Sequence, residues 1–393
     1  MLKKAILSTL LCVALALSFV ACGPAENPQT DSGGTSSGSS VSSSDTNSDT
    51  ATDGESTDAS TATEGTTTDT RDEVKKDDPY WEEDAIGRKI IACDIINFSV
   101  VVYDLDACQG DYQRLINDKS TIVWEWSSVY DRNCVGFPGG LSSAKLRYSP
   151  YYGKDVVIAC SSNGWWGVVD YEKCTVICEG WVSSGPHSVE MLPNGDLVIG
   201  VSAKTIGVYY IPLSAGVAEP VSELEAPACH GVCWDPERQC IWVLEGNGVF
   251  RATVENMGTK QAKLVRHYDN IKVLGNSMGH AFSPIYGQPG KYWVSENKLL
   301  IFDATTGEYT SAGALSAGGI KGVASFADGS VVEAICNLGG NAVNFYACDG
   351  FRILEKRMSE GKVQVVKYVA TDVIFPIGGR QFYKVQPFTR NYR

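Results

Sequence analysis

Histidine is scarce in this chain, four residues in 393, and methionine numbers only five. Positive charge is also short. Thirty-three Lys and Arg face forty-six Asp and Glu, a formal charge of −13. A nucleic-acid backbone demands a basic surface, so that class of partner is excluded, and close contact with anionic lipid is disfavoured. No stretch of fifteen residues carries a convincing 3.6-residue apolar period, which argues against long amphipathic helices. Also missing are G-x-S-x-G, H-E-x-x-H, a phosphate-binding glycine loop and a recognisable pair of catalytic carboxylates. The nucleophile-elbow, zincin and phosphate-loop enzymes are therefore not indicated.

The N-terminus accounts for itself. Lys3 and Lys4 precede the apolar run "AILSTLLCVALALSFVA", too short for a membrane span of about 20 residues and typical of an export signal. The stretch "SFVAC" resembles the bacterial lipobox, with Phe19 where Leu is usual. The resemblance implies cleavage after residue 21 and lipidation of Cys22, which would anchor the protein to the outer face of the cell membrane. Residues 22–72 form a Ser, Thr, Gly and Asp tract that cannot bury enough surface to fold. Fifty residues of such tether reach about 40 Å. The domain proper is expected over residues 73–393.

Eleven cysteines follow Cys22, an odd number that excludes complete disulfide pairing. Many lie in apolar runs such as "VVIACSS" and "VEAICN", where a thiol acts as a small buried hydrophobe. Mostly reduced cysteines are expected. In "CTVIC" and "CHGVC", extended backbone would hold the two sulfurs about 13 Å apart, too far for one metal.

A repeat organises the domain. Apolar pairs of runs recur six times: "KIIACD" with "SVVVYDLD" (99–106), "DVVIAC" with "GVVDYE" (167–172), "DLVIGV" with "GVYYIP" (207–212), "CIWVLE" with "GVFRAT" (248–253), "KYWVSE" with "LLIFDATTG" (299–307), and "SVVEAI" with "AVNFYACDG" (342–350). Asp170, Ile211, Ala252 and Asp303 are spaced by 41, 41 and 51 residues. Short Val, Ile, Trp and Tyr runs at that period indicate an all-β, six-bladed β-propeller. A seventh blade requires another unit hidden in 355–393. The run "TDVIFPIGGRQFYKVQP" (371–387) is expected to supply the inner strand of blade 1, so that N- and C-terminal strands close the ring and leave no open sheet edge. The segments "CQGDYQRLINDK" and "WEWSSVYDRNCVGFPGG" read as one long surface loop.

Three of the four histidines open similar phrases: "PHSVEMLP", "CHGVCWDP" and "GHAFSP", giving His187, His230 and His280. Each phrase precedes the second strand of its unit, so it falls on the first, channel-lining strand. Counting back from Pro193, Pro236 and Pro284 leaves His280 two residues out of step, which keeps the strand face. The corresponding region of blade 2 offers Lys145 and Arg147, and that of blade 6 offers Lys321. Three imidazoles with an open position suit one divalent metal ion; imidazoles with lysine and arginine suit a carboxylate directly. Inner strands also need polar side chains because propeller channels hold water, so the histidines fit a structural role as well. Trp165 and Trp166, in "SNGWWG", fit sugar stacking or interblade packing. Glu190, three residues after His187, is placed on the opposite strand face and read as structural. His267 lies outside the pattern, and Trp234–Asp235 marks a turn.

The phrases "PHSVEMLPNGDLVIGVS", "HGVCWDPERQCIWVLEG" and "GHAFSP" resemble a bacterial family of exported, often lipid-anchored propellers with no assigned activity, over roughly residues 88–390. The family's third phrase more often reads Gly-His-Asp, and Ala281 stands in place of that acid. More distantly the chain is similar to streptogramin lyase and oligogalacturonate lyase, propellers with channel histidines, the latter with a bound metal. Fold does not fix function. The expectation is a monomeric, extracytoplasmic propeller whose channel mouth binds a small or oligomeric, acidic carbohydrate or cell-wall ligand. A metal-assisted lyase or hydrolase, and a protein-interaction scaffold with inert histidines, stand as the alternatives.

Overall fold

In a computed structural model of the chain, the β-branched and aromatic runs become strands and the Gly, Asn and Asp clusters become turns. The structure describes residues 87–393 apart from 184, 270, 275–278, 297, 314–318, 337–349, 357–362, 371–379 and 391–393. The leader, Cys22, the tether and residues 73–86 therefore lie outside it. Among the described residues no helix is long and apolar enough to cross a membrane.

Blade 1 contains β1 (Lys89–Asp94), β2 (Ser99–Asp104) and β3 (Ile122–Ser127). Blade 2 contains β4 (Leu141–Ser149), β5 (Lys154–Ser161), β6 (Trp165–Asp170) and β7 (Thr175–Trp181). Blade 3 runs β8 (Pro186–Met191), β9 (Leu197–Val201), β10 (Ile206–Ile211) and β11 (Ser222–Glu225). Blade 4 is β12 (Gly231–Asp235), β13 (Cys240–Glu245), β14 (Gly248–Glu255) and β15 (Lys263–His267). Blade 5 has β16 (Phe282–Pro284), β17 (Lys291–Ser295), β18 (Leu299–Asp303) and β19 (Glu308–Ser311). Blade 6 has β20 (Ile320–Ser325), β21 (Val331–Ile335), β22 (Gly350–Lys356) and β23 (Val363–Ala370). The last strand, β24 (Phe382–Pro387), pairs with β1 and is the inner strand of blade 1.

All six sheets are antiparallel and four-stranded. Inner strands β4, β8, β12, β16, β20 and β24 each touch the next, and β24 touches β4, so the ring closes on the C-terminal strand. Six blades satisfy the whole described chain: β23 completes blade 6 and β24 completes blade 1, which leaves no strands for a seventh.

The core is divided among the blade junctions. Six clusters of buried apolar side chains each draw on two neighbouring blades, as Val156 and Ile158 meet Val189 and Ile199 between blades 2 and 3. This explains the near-continuous apolar reading of the second strands. They are covered on both faces, unlike strands with one solvated face.

The Asp residues that close many runs cap turns. Asp94, Asp104, Asp170, Asp235 and Asp303 each accept from the main-chain N–H groups two and three residues on. Two sequence expectations change. The segment 106–140 is not one loop: it holds short helical turns, and "IVWEWS" forms β3, whose Trp124 and Trp126 are buried on alternate positions. The third strand of blade 6 is β22, whereas the run expected at 342–350 falls, but for Gly350, outside the described residues. Nine of the ten described cysteines, Cys336 aside, are free thiols.

Candidate functional site

The channel mouth is built by a backbone irregularity that recurs around the ring. In β8 the register shifts between Pro186 and Ser188, in β20 between Ile320 and Gly322, and in β4 between Leu141 and Ser143. The extra residues are His187, Lys321 and Ser142. In blade 1, three steps on β24 (Phe382 to Val385) oppose two on β1, which places Tyr383 and Lys384 in the same kind of bulge. In blade 4, His230 N–H donates to the Leu244 carbonyl while Gly231 is the Cα partner of Leu244, so two residues oppose one. In blade 5, the Ser295 hydroxyl receives the N–H groups of both His280 and Ala281. A bulge adds one unpaired residue and re-aims its side chain. Six blades thereby present Ser142, His187, His230, His280, Lys321 and Tyr383 at one level.

The three histidines are in step. Each stands two residues before the apolar residue that re-enters the blade: Val189, Val232 and Phe282. The apparent offset of His280 came from turn length, not from strand position. Ring centroids lie 4.9 Å apart for His187–His230, 4.1 Å for His230–His280 and 6.4 Å for His187–His280. His187 and His230 are buried and His280 is half-buried. The Ala228 carbonyl lies 2.8 Å from His230 Nδ1. A carbonyl can only accept, so Nδ1 carries the proton and Nε2 keeps its lone pair. His187 Nδ1 lies 2.8 Å from the Tyr383 hydroxyl, and Lys321 Nζ stands 5.1 Å from the Tyr383 ring centroid.

Lys384 completes the mouth from beneath. Its ammonium donates to the main-chain carbonyls of His187 and His230, each at 2.7 Å, and the residue is 3% exposed. Burial, reinforced by Lys321 and Lys145 and opposed by the Cys160 and Cys229 thiols, pushes it down to about 7. Burial also depresses all three imidazoles. Lys384 and Lys321 add to the effect and take His230 down to about 3. At neutral pH the mouth is a ring of uncharged imidazoles beside lysine.

The other sequence candidates stand elsewhere. Lys145 and Arg147 are not at the mouth. Three and five residues beyond the bulge, they converge on Glu190, with Lys145 Nζ 2.9 Å from Oε2 and Arg147 Nε 2.7 Å from Oε1. Burial alone would raise Glu190, but Arg147 and Lys145 outweigh it and hold it below the usual carboxylate range. The bulge at His187 is why counting by alternation misjudged Glu190, which belongs to this triad. Lys145 also donates to the Val232 carbonyl, and Ser142 and Ser283 donate to carbonyls of the next inner strand. These side chains satisfy strands that would otherwise be open edges facing the channel.

Trp165 and Trp166 are fully buried, which leaves no face for a sugar. Trp165 stacks on Trp126 at 6.0 Å and donates Nε1 to Glu179. The exposed indole of blade 2 is that of Trp181, 47% exposed. His267 ends β15 and lies 2.8 Å from the Thr253 hydroxyl. A cavity of about 470 Å³ opens between blades 4 and 5, but its guanidinium groups are already held, Arg251 by Asp269 and Arg238 by Thr305 and Asp235. Among the described residues no group of three or more His, Cys, Asp or Glu side chains is arranged to hold a metal ion.

Tyr383 and Lys384 are the residues that sequence reasoning missed. "Y-K-V" in β24 matches "H-S-V", "H-G-V" and "K-G-V" at the apolar third position, and that signal was available.

A family model described as a family of unknown function (DUF6528) matches residues 115–337, more than half of the sequence. The chain belongs to that family. The matched span includes all three mouth histidines and Lys321 but ends before Tyr383 and Lys384. No curated protein matches the chain. Among solved structures it is similar to a functionally unknown protein from Desulfotomaculum acetoxidans DSM 771, at 12% identity over 75% of this chain and 83% of that one, with a TM-score of 0.45. It is also similar to the hydrazine synthase of Kuenenia stuttgartiensis (15%, 70% and 82%, TM-score 0.42). A third likeness is to the dihydro-heme d1 dehydrogenase NirN (14%, 74% and 54%, TM-score 0.40). None of these likenesses bears on chemistry.

Proposed function

We propose that this family member is a binding module, held outside the cell by a lipid on Cys22, whose channel mouth takes an acidic carbohydrate. The observation that carries the reading is the ring of three neutral imidazoles beside Lys321. A neutral imidazole has one donor and one acceptor; at His230 the donor is held by the Ala228 carbonyl, which leaves Nε2 to accept from a sugar hydroxyl. Lys321 supplies a cation for a carboxylate. The chain carries −13 overall, yet the inner strands concentrate Lys145, Arg147, Lys321 and Lys384 against two buried acids, Glu190 and, at the far end of β12, Asp235. A dication would enter this field against Lys321 and a partly protonated Lys384, with no acid at the mouth among the described residues to offset them, which weighs against the metal-assisted lyase or hydrolase.

The test is calorimetry on the intact protein with galacturonate oligomers and with neutral galactose oligomers of equal length. The acidic series should bind more tightly by at least about tenfold, the worth of roughly 1.4 kcal/mol. Lys321→Met should erase that preference. Absence of binding to either series sinks the reading. Elemental mass spectrometry of untagged protein separates the rival: about one divalent ion per chain, lost in His230→Ala, would replace it with metal-assisted chemistry.

A further inference from the structure

We propose that Lys384 is the positioning residue of the mouth: from the ring-closing strand it fixes the two bulged backbone segments that carry His187 and His230, so the histidine cluster is assembled only when the C-terminal strand is docked. The role deepens the mouth reading and rests on it for its meaning, though not for its test.

Lys384 belongs to blade 1, yet its ammonium bonds blades 3 and 4, reaching across the channel past blade 2. Among the described residues no carboxylate pairs with it, and both its hydrogen bonds go to neutral carbonyls. Burying an ammonium without a counter-ion is costly, and an apolar side chain of similar length would fill the same space without that penalty. A contribution to stability is therefore a poor account of a lysine here. What lysine supplies and methionine lacks is two directional bonds to the carbonyls of the very residues the bulges take out of the ladder. Those residues carry imidazoles 4.9 Å apart, and a slack backbone at either would let that spacing drift. The groups that act electrostatically on Lys384, or it on them, are Lys321, Lys145, the thiols of Cys93, Cys160, Cys229 and Cys233, and the rings of His187, His230 and His280.

The scarcity of histidine makes the test direct, because a histidine-labelled chain has only four imidazole rings to resolve. The intact protein would be studied by ring-nitrogen NMR as wild type, Lys384→Met, Lys384→Gln and Lys145→Met. Lys145→Met removes a channel cation and its bonds to Glu190 and the Val232 carbonyl without touching either histidine carbonyl, so it reports what the loss of a buried lysine elsewhere in the channel does to the rings. In Lys384→Met, the His187 and His230 signals should broaden or split while that of His267 stays fixed. Lys384→Gln, which can still donate to a carbonyl, should lie closer to wild type. His187 and His230 signals that match those of Lys145→Met would overturn the proposal. So would failure of both Lys384 variants to fold at 10 °C, since the lysine would then serve the whole fold. The signals are read without ligand, so a failure of sugar binding leaves this outcome untouched.

Discussion

His230 donates its Nδ1 proton to the Ala228 carbonyl and is 2% exposed, so a second proton would charge a dry ring beside Lys384 and Lys321. Its folded value, about 3, lies below the ordinary 6.5. Between those values the unfolded chain binds more protons, so the stability due to the neutral ring is present above about pH 6.5 and is lost as pH falls. The slope approaches about 1.4 kcal/mol per pH unit for such a group. The melting temperature should drop between pH 7 and pH 5, and His230→Gln should flatten the drop; an unchanged slope in the variant would remove His230 as its source. A second residue-scale prediction concerns the triad. Glu190→Gln leaves Lys145 and Arg147 buried without their counter-charge and should cost about 3–5 kcal/mol in urea unfolding. A loss below 1 kcal/mol would mean that water already neutralises the site. The histidine ring was legible because a rare residue recurred in a repeated phrase. Lys145 and Arg147 were misplaced because a bulge is a backbone event with no residue signature: it breaks the two-residue period on which the count relied.

Blade 2 shows what a strand element demands of its neighbours. A Cβ at Gly167 would come within 2.4 Å of the Trp165 ring, and one at Gly180 within 2.5 Å of the Trp166 ring. The tandem tryptophans fit because each lies across a glycine on the adjoining sheet surface. Gly180→Ala should therefore cost about 1–3 kcal/mol through overpacking, read as a shift in the urea midpoint with unchanged slope; a neutral result would show that the indole can move aside. The second and third strands of most blades were readable within a residue or two, because both their faces are buried and their sequences are continuous apolar runs. Outer strands were not. The β11 and β19 strands are largely solvated, Ser-Glu-Leu-Glu and Glu-Tyr-Thr-Ser, and nothing in their polarity separates them from loops. The β3 strand was hidden for a similar reason, its exposed positions alternating with two tryptophans.

At the scale of the molecule, closure is what makes six separate interblade cores into one cooperative unit. The junction between blades 6 and 1 draws Phe382 and Val385 from the last strand against Ile90, Val101, Phe351 and Ile353. Phe388, just beyond that strand, packs into the junction between blades 1 and 2. Removing residues 380–393 would strip the inner strand from blade 1, expose β1 as an edge, and open two of the six cores at once. It would also remove Arg380, whose guanidinium pairs with Glu125 of β3 and Asp94 of β1, and with Lys384 the clamp across the mouth. Without β24, the apolar β1 becomes an unpaired edge, and such edges favour association over folding. The truncated chain should show no single sharp melting transition, should be cut by protease within blade 1, and should give no resolved pair of His187 and His230 ring signals. The opposite outcome is equally specific. If the remaining blades still melt sharply near the wild-type temperature, each junction is stable on its own, and the C-terminal strand serves the mouth rather than the ring.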